Sequence, residues 1–423
     1  MSDLLSVIAR DWQLLVPLGV VGALSWSIWL IRKVLSSRYR PTVNDYRTTT
    51  SVVVPSFRED PNVLERCLDT WLAQDPTEVI VVLDVEDHEA FRRLTARDEP
   101  RLTVLSFAHE GKRSALGVGI REAKYDVLVL CDSDTNWRPG LLDAVQMPFV
   151  DPAVGAVGTR QNVHLPMSSI WRRVADWIID LRYLDYVPAT GRAGAVVCVS
   201  GRTAAYRRSA VLPVLENLEH EFFLGRRCVA GDDGRLTWLV LASGYKTVHQ
   251  DTARAMSMFP GTFRAFCKQR VRWSRNSYRC YLTAAWKGWL WHVPLVSQIT
   301  VLQILFTPVT MFAAVYYVLT AGITGPGWWG LGLAMTWLFV GRAIRSISHL
   351  RRRPADLLIL PLVTLVIVMV ALPIKTYAFV TMNKQGWLTR RADLFGGEGQ
   401  DEASLTTSAP AAVPAAADAT APA

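Results

Sequence analysis

Six cysteines (Cys67, Cys131, Cys198, Cys228, Cys267 and Cys280) are scattered without a C-x-x-C pair or any zinc-ligand spacing. This argues against a zinc module or a dithiol redox centre. All six fall in the polar part of the chain, which suggests reduced thiols in a cytosolic compartment. No G-x-G-x-x-G follows the first strand-like run, which argues against a dinucleotide-binding dehydrogenase. Charge is missing from residues 14–31, and from Gly288 to Gly341 apart from His292. That second run is 54 residues long, far more than the roughly 20 of one membrane span, so two helices are expected in it. The other reading is a soluble core that buries the whole run. The N-terminus has Asp3 and Asp11 before its apolar run and no small-residue cleavage site after it, which reads as an anchor rather than a removed signal.

Hydrophobic residues make up 50% of the chain, with 16 tryptophans, and the formal charge is +9 with a pI near 9.4. The basic residues gather beside the apolar runs: Arg32, Lys33, Arg38 and Arg40 after the first, Arg345 and Arg351 to Arg353 further on. This fits a positive-inside bias and attraction to an anionic leaflet. No basic helix or aromatic–basic platform stands apart from those flanks, so nucleic acid is not an expected partner.

The chain divides into an anchor (1–40), a cytosolic α/β domain (41–260), an amphipathic interface segment (261–292), an apolar membrane region (293–384), and a cytosolic segment with an Ala/Pro-rich tail (385–423). Within the α/β part, SVVVP, EVIVVLD, LTVLSF and YDVLVLCDSD read as strands. PNVLERCLDTWLAQ between the first two is an amphipathic helix, with Val63, Leu64, Cys67, Leu68, Trp71 and Leu72 on one side. Strands alternating with helices imply a mostly parallel sheet whose ligands sit at the carboxyl ends of strands. Asp84 and the CDSD cluster fall at such ends. Further on, AVGAVG and AVVCVSG read as short strands, GDDGRLTWLVLASG as a loop opening a helix with Gly244 as its cap, and 262–291 as one or two amphipathic helices. Spans are expected at about 293–321 and 328–345. The stretch from Leu357 to Met382 is expected to break at Pro373 into a bent or re-entrant pair that returns the tail to the cytosol.

Transfer of a sugar from a nucleoside diphosphate needs the leaving diphosphate neutralised, the acceptor hydroxyl deprotonated, and the two reactants aligned. Asp132 and Asp134, alternating at a strand end, can present two carboxylates to a divalent cation with Ser133 turned away; acidic strand ends are also common without one. Lys112, Arg113 and Arg272 can offer positive charge to phosphates, or be solvated surface charges. Asp233 is either a base near the acceptor or a helix N-cap, with Asp232 beside it. Trp273 offers an aromatic face to a sugar ring, or anchors an interface helix.

Taken together, VVVPSFRED, VVLD, GKR (111–113), CDSDT, SGRTAAYR, FLGRRCVAGDDGRLT and QRVRW, in this order, resemble the processive, membrane-integrated family 2 glycosyltransferases. Within them the chain looks most like hyaluronan synthases, then chitooligosaccharide synthases. The resemblance implies a GT-A type catalytic domain set between transmembrane helices of the plasma membrane and facing the cytosol. It implies UDP-sugar donors, Mg²⁺ or Mn²⁺, and a growing polysaccharide as acceptor. Asp84 would hold the uridine, and Lys112 and Arg113 the uridine or diphosphate. Asp132 and Asp134 would bind nucleotide and metal, and Asp233 would be the general base. Gln269, Arg272 and Trp273, with Asp232, would line the acceptor and diphosphate site. Two departures stand out: one apolar helix before the domain instead of two, and SGRTA in place of an SGP-type segment, which puts Arg202 near the acceptor.

Overall fold

The computed structural model describes residues 19–108, 110–324 and 328–385. The first residues of the anchor, the middle of the TGPGWW connection, GWLTRR and the Ala/Pro-rich tail lie outside the described residues.

A helix, α1 (Gly19–Ser37), leads into the α/β body. Its elements are β1 (Thr50–Ser56), α2 (Pro61–Leu72), β2 (Glu78–Asp84), β3 (Leu102–Phe107), α3 (Lys112–Glu122), β4 (Val127–Cys131), β5 (Thr135–Trp137), β6 (Val154–Val163), α4 (Ile170–Leu181), β7 (Thr203–Arg207), a hairpin of β8 (Phe222–Phe223) and β9 (Arg226–Arg227), α5 (Asp232–Ala242), β10 (Lys246–Ser257) and α6 (Phe263–Trp286). The main sheet has the order β3-β2-β1-β4-β7-β6-β10-β5. Its first four strands are parallel. Then β7 runs antiparallel between β4 and β6, and β5 antiparallel to β10. The architecture is thus the expected α/β one, parallel in its first half and mixed in its second.

The strands read as near-continuous apolar runs because both faces are covered. Val53, Ile80, Val82, Leu128 and Leu130 face one core, while Val52, Val54, Val79, Val81 and Val129 face the other. Each fully buried Val or Leu contributes about 1.5–3 kcal/mol, and that anchorage lets the strand ends carry carboxylates. The helix α2 buries Leu64, Cys67, Leu68 and Trp71, as its periodicity predicts, and Asp60 caps it by accepting from the Asn62 amide at 2.8 Å.

AVVCVSG is not a strand. Only Ala195 forms an isolated bridge, to Thr247; the Val199 amide then donates to the Thr237 hydroxyl at 3.0 Å. Its bonding to β10 stops at Val196, whose amide donates to the Thr247 carbonyl at 3.1 Å, and no ladder continues beyond it. The regular strand here is β7, inside SGRTAAYR.

Two membrane-region expectations also need correction. The run expected as one span at 293–321 is two helices, Leu295–Leu305 and Thr307–Thr324, bent by 61° at their junction. The expected break at Pro373 is absent: Pro354–Val380 is one continuous apolar helix of 27 residues. A π-helical turn at Val366–Val370 precedes Pro373, and such a turn re-registers the ladder around the donor that proline lacks. Among the described residues this helix alone is long and apolar enough to cross a membrane, with the bent pair as a second if counted as one.

Both ends of Pro354–Val380 are bonded to the α/β body. Arg173 of α4 donates to Asp356 at 2.6 Å. Past the far end, Arg275 donates to Thr381 at 3.0 Å and the Val229 amide to Gln385 at 3.1 Å. Leu360, Val363 and Val366 enter the same core as Val53 and Trp177. Several flanking cations are likewise committed to protein: Lys33 pairs with Asp185 at 2.8 Å, and Arg352 and Arg353 with Asp180 and Asp176 at 3.2 Å each.

Candidate active site

The polar cleft forms where β4 ends. The three residues after Cys131 carry the chain from the sheet's centre to β5 at its far edge, so their side chains stand across the strand ends. Asp132 accepts from Lys112 at 2.8 Å, and its amide donates to the Arg202 carbonyl at 3.1 Å. Ser133 turns to Glu59, donating at 3.1 Å. Asp134 is buried against the cleft wall.

The second carboxylate pair comes from α5. Gly231 occupies its N-cap at φ 76°, and Asp232 and Asp233 are its first two residues. Neither is therefore the cap. A Cβ on Gly231 would lie 3.0 Å from Asn276 Cγ and would hold a left-handed φ, so glycine suits this corner on both counts. Asp232 accepts from Lys112 at 3.0 Å. Burial raises the Asp232 pKa above its ordinary value, against the pull of the Lys112 ammonium. Burial also opposes the charge on Lys112, yet Asp132 and Asp232 outweigh it, and the ammonium pKa stands above its usual range. Asp233 points at the SGR loop, accepting from the Gly201 amide at 3.5 Å and lying 3.7 Å from the Cys198 thiol. The helix N-terminus favours negative charge on both aspartates.

The third wall is α6. Helical spacing puts Arg272, Trp273, Asn276, Ser277 and Cys280 along the cleft. The cleft thus brings together Lys112, Asp132, Asp134, Asp232, Asp233, Arg272 and Trp273 from the expected set.

Three expected residues do not line it. Asp84 ends β2 as predicted and is buried, accepting from the Glu86 amide at 3.0 Å. Arg113 is buried and committed to Glu221 at 2.6 Å and to the Leu218 and Gly231 carbonyls at 3.1 Å each; it braces the turn that starts α5. Gln269 is buried, and neither atom of its amide has a hydrogen-bond partner among the described residues.

Sequence reasoning missed Glu59, Arg182, Tyr183 and Asn276 as cleft residues. Glu59 lay in the quoted SFRED, and Asn276 is one helical turn beyond Arg272. Arg182 and Tyr183 carried no signal: a π-helical turn, Arg182–Tyr186, follows α4 and brings both to the cleft.

The oxygens of Asp132 and Asp134 are hard donors suited to Mg²⁺ or Mn²⁺, with Glu59 as a further carboxylate in the same cleft. Another acidic group, Asp176, Asp180 and His349, also has ligand-like spacing. It is neutralised from within: Arg353 faces Asp176, Arg352 and Arg160 face Asp180, and both His349 nitrogens lie on carboxylates, Asp180 at 3.0 Å and Asp356 at 2.7 Å. We assign it as an ion-pair node that fastens α4 to the final apolar helix.

The sheet, its strand-end carboxylates and the cleft define a GT-A type glycosyltransferase fold. The same fold is seen in the solved structure of a mannosyltransferase from Pyrobaculum calidifontis, in complex with GDP-Man and Mn²⁺. That chain matches with a TM-score of 0.57 and 19% identity, over 86% of this chain and 97% of its own. Residues 47–276 match the glycosyltransferase like family 2 profile, and the chain belongs to that family. It is 31% identical to an N-acetylglucosaminyltransferase of Bradyrhizobium diazoefficiens, over 80% of this chain and 71% of that one. It is 30% identical to one of Rhizobium leguminosarum, over 80% and 81%. It is also 25% identical to the hyaluronan synthase of Streptococcus pyogenes, over 88% and 91%. These relatives place it with the hyaluronan and chitooligosaccharide synthase type.

Proposed function

We propose that this glycosyltransferase polymerises UDP-sugars, UDP-GlcNAc and/or UDP-GlcA, into a β-linked polysaccharide at the plasma membrane and passes the product across it. The observation that carries the reading is the convergence of Asp132, Asp134, Asp233, Arg272 and Trp273, drawn from three separate elements, on one cleft. An acceptor hydroxyl attacks C1 of the donor sugar, the C1–O bond to the diphosphate breaks, and UDP departs. Asp233 takes the hydroxyl proton. A single base with no carboxylate in a nucleophile's role gives inversion at C1. Asp132 and Asp134 would hold Mg²⁺ or Mn²⁺, which supplies positive charge to the leaving diphosphate. Arg272 adds a second positive group there, and Trp273 seats the acceptor ring. Lys112 keeps Asp132 and Asp232 in place.

The apolar helices next to α6 support a cleft set beside the bilayer. With both its ends bonded to the α/β body, Pro354–Val380 lies along the cytosolic face without a full crossing.

A chitooligosaccharide or β-glucan synthase is the second reading, favoured by the N-acetylglucosaminyltransferase relatives. A non-processive transfer to a lipid carrier is the third. Membranes given radiolabelled UDP-GlcNAc, UDP-GlcA and UDP-Glc, singly and in pairs, with and without EDTA, separate them. Polymer from the GlcNAc and GlcA pair alone supports a hyaluronan-like product, and polymer from UDP-GlcNAc alone a chitin-like one. A single-sugar lipid product contradicts polymerisation.

A further inference from the structure

Two buried aspartates bracket the π-helical turn that brings Arg182 and Tyr183 to the cleft, and both are held from one short turn of the apolar C-terminal region. Asp180 precedes the two cleft residues and Asp185 follows them. His349 lies on Asp180 at 3.0 Å, and its neighbour Ser348 donates to Asp185 at 2.7 Å. This pair sits in Ile347–Leu350, which joins the helix Trp328–Arg345 to Pro354–Val380. The grip is doubled on each side. Arg352 also faces Asp180 at 3.2 Å, and Lys33 of α1 reaches Asp185 at 2.8 Å.

A π-helical turn needs such restraint. Here the Val187 amide reaches back to the Arg182 carbonyl, an i→i+5 bond that admits one extra residue to the turn. Reversion to α-helical register would rotate one side against the other by about 100° and take Arg182 or Tyr183 out of the cleft. With Asp180 and Asp185 fixed by partners on other elements, that rotation is blocked. Arg182 passes the constraint on: its guanidinium donates to the Cys198 carbonyl at 3.1 Å. The segment from Cys198 to Gly201 in turn holds Asp233, through the Gly201 amide at 3.5 Å and the Cys198 thiol at 3.7 Å.

We infer that Ser348 and His349 are positioning residues: through the π-helical turn and Arg182 they set the Cys198–Gly201 segment that orients Asp233. The junction between two helices of the apolar region is thereby coupled to the base. The inference rests on the reading of Asp233 as base and adds a pair of residues outside the cleft that governs it.

The test uses the full chain in lipid nanodiscs and two readouts. One is the rate at which iodoacetamide alkylates each cysteine, located by mass spectrometry; Cys198 is half-buried and lines the cleft. The other is kcat and KM for UDP release from UDP-GlcNAc. His349→Gln and the milder Ser348→Ala, which leaves Lys33 on Asp185, should quicken Cys198 alkylation at least threefold and the other cysteines less than twofold. Both should lower kcat by roughly 3- to 30-fold with KM within twofold. Ser348→Thr keeps the hydroxyl and should restore both readouts. On an Arg182→Met background, Ser348→Ala should lower kcat no further, because the path is already cut. Arg353→Met frees Asp176, which lies ahead of the bracket, and should leave both readouts within twofold of the parent. An unchanged Cys198 rate in Ser348→Ala overturns the inference. So does equal quickening of all cysteines, or of Cys198 in Arg353→Met, since the contacts would then brace the fold at large. If the parent releases no UDP from any of UDP-GlcNAc, UDP-GlcA and UDP-Glc, the transferase reading fails, while the alkylation pattern still decides whether the pair controls the Cys198 segment.

Discussion

Lys112 and Asp232, 120 positions apart in the chain, meet at 3.0 Å on the floor of the cleft. The lysine starts α3 and the aspartate starts α5, so two helix N-termini that both attract anions are tied by one ammonium, with Asp132 as its second partner at 2.8 Å. Lys112→Met removes the one positive charge bonded to the buried Asp232 among the described residues, and takes one partner from Asp132. Loss of one member of a buried pair costs about 3–5 kcal/mol. Thermal unfolding should show that loss, and Asp232→Asn on the Lys112→Met background should recover part of it. No recovery would mean that the lysine acts through packing alone.

Asp233→Asn keeps the shape of the side chain and its contact with Gly201, but cannot take a proton. Polymer formation should fall by about 10²–10⁴-fold, the range for loss of a general base. UDP affinity should stay within twofold. A variant that still polymerises at the parent rate would leave Asp233 with only its place at the start of α5.

The ion-pair node makes a prediction about pH. Burial, with Asp180 adding to it, raises the Asp176 pKa from 3.8 to about 6. Between those values the folded state holds a proton that the unfolded chain has released, so this group's contribution to stability falls as pH rises from about 4 to 6. The amount is roughly 2–3 kcal/mol. Asp176→Asn removes the titration, so its melting temperature relative to the parent should climb across that window. A difference that stays flat with pH would contradict the assignment.

Arg351 and Lys384 flank the helix Pro354–Val380, and both are exposed. If the helix lies along the body, cysteines placed at the two positions should react with a membrane-impermeant maleimide from the same side of sealed vesicles, judged against the parent chain. Labelling from opposite sides would show a full crossing.

Local pattern made much of this molecule legible. The unbroken apolar strands announced a covered sheet, and the loop leaving β4 marked Asp132 and Asp134, whereas Asp84 ends β2 away from the cleft. The Q-x-x-R-W spacing identified one face of α6, and carried one turn further it would have included Asn276. AVVCVSG misled because apolar alternation fits an extended chain with or without a ladder. Arg113 looked like Lys112's equal in the sequence, since nothing local shows that Glu221 claims it. The 61° bend and the uninterrupted passage through Pro373 depend on packing and on a π-helical turn, and neither leaves a composition signal.

The shared core of Val53, Trp177, Leu360, Val363 and Val366 decides how the enzyme can be dissected. A fragment severed before residue 354 would not be a water-soluble catalytic half; it would be a body with an open wound, its floor aliphatic and its Arg173 stripped of Asp356. The line between enzyme and membrane part, natural to draw on paper at the first long apolar run, has no counterpart in the folded chain.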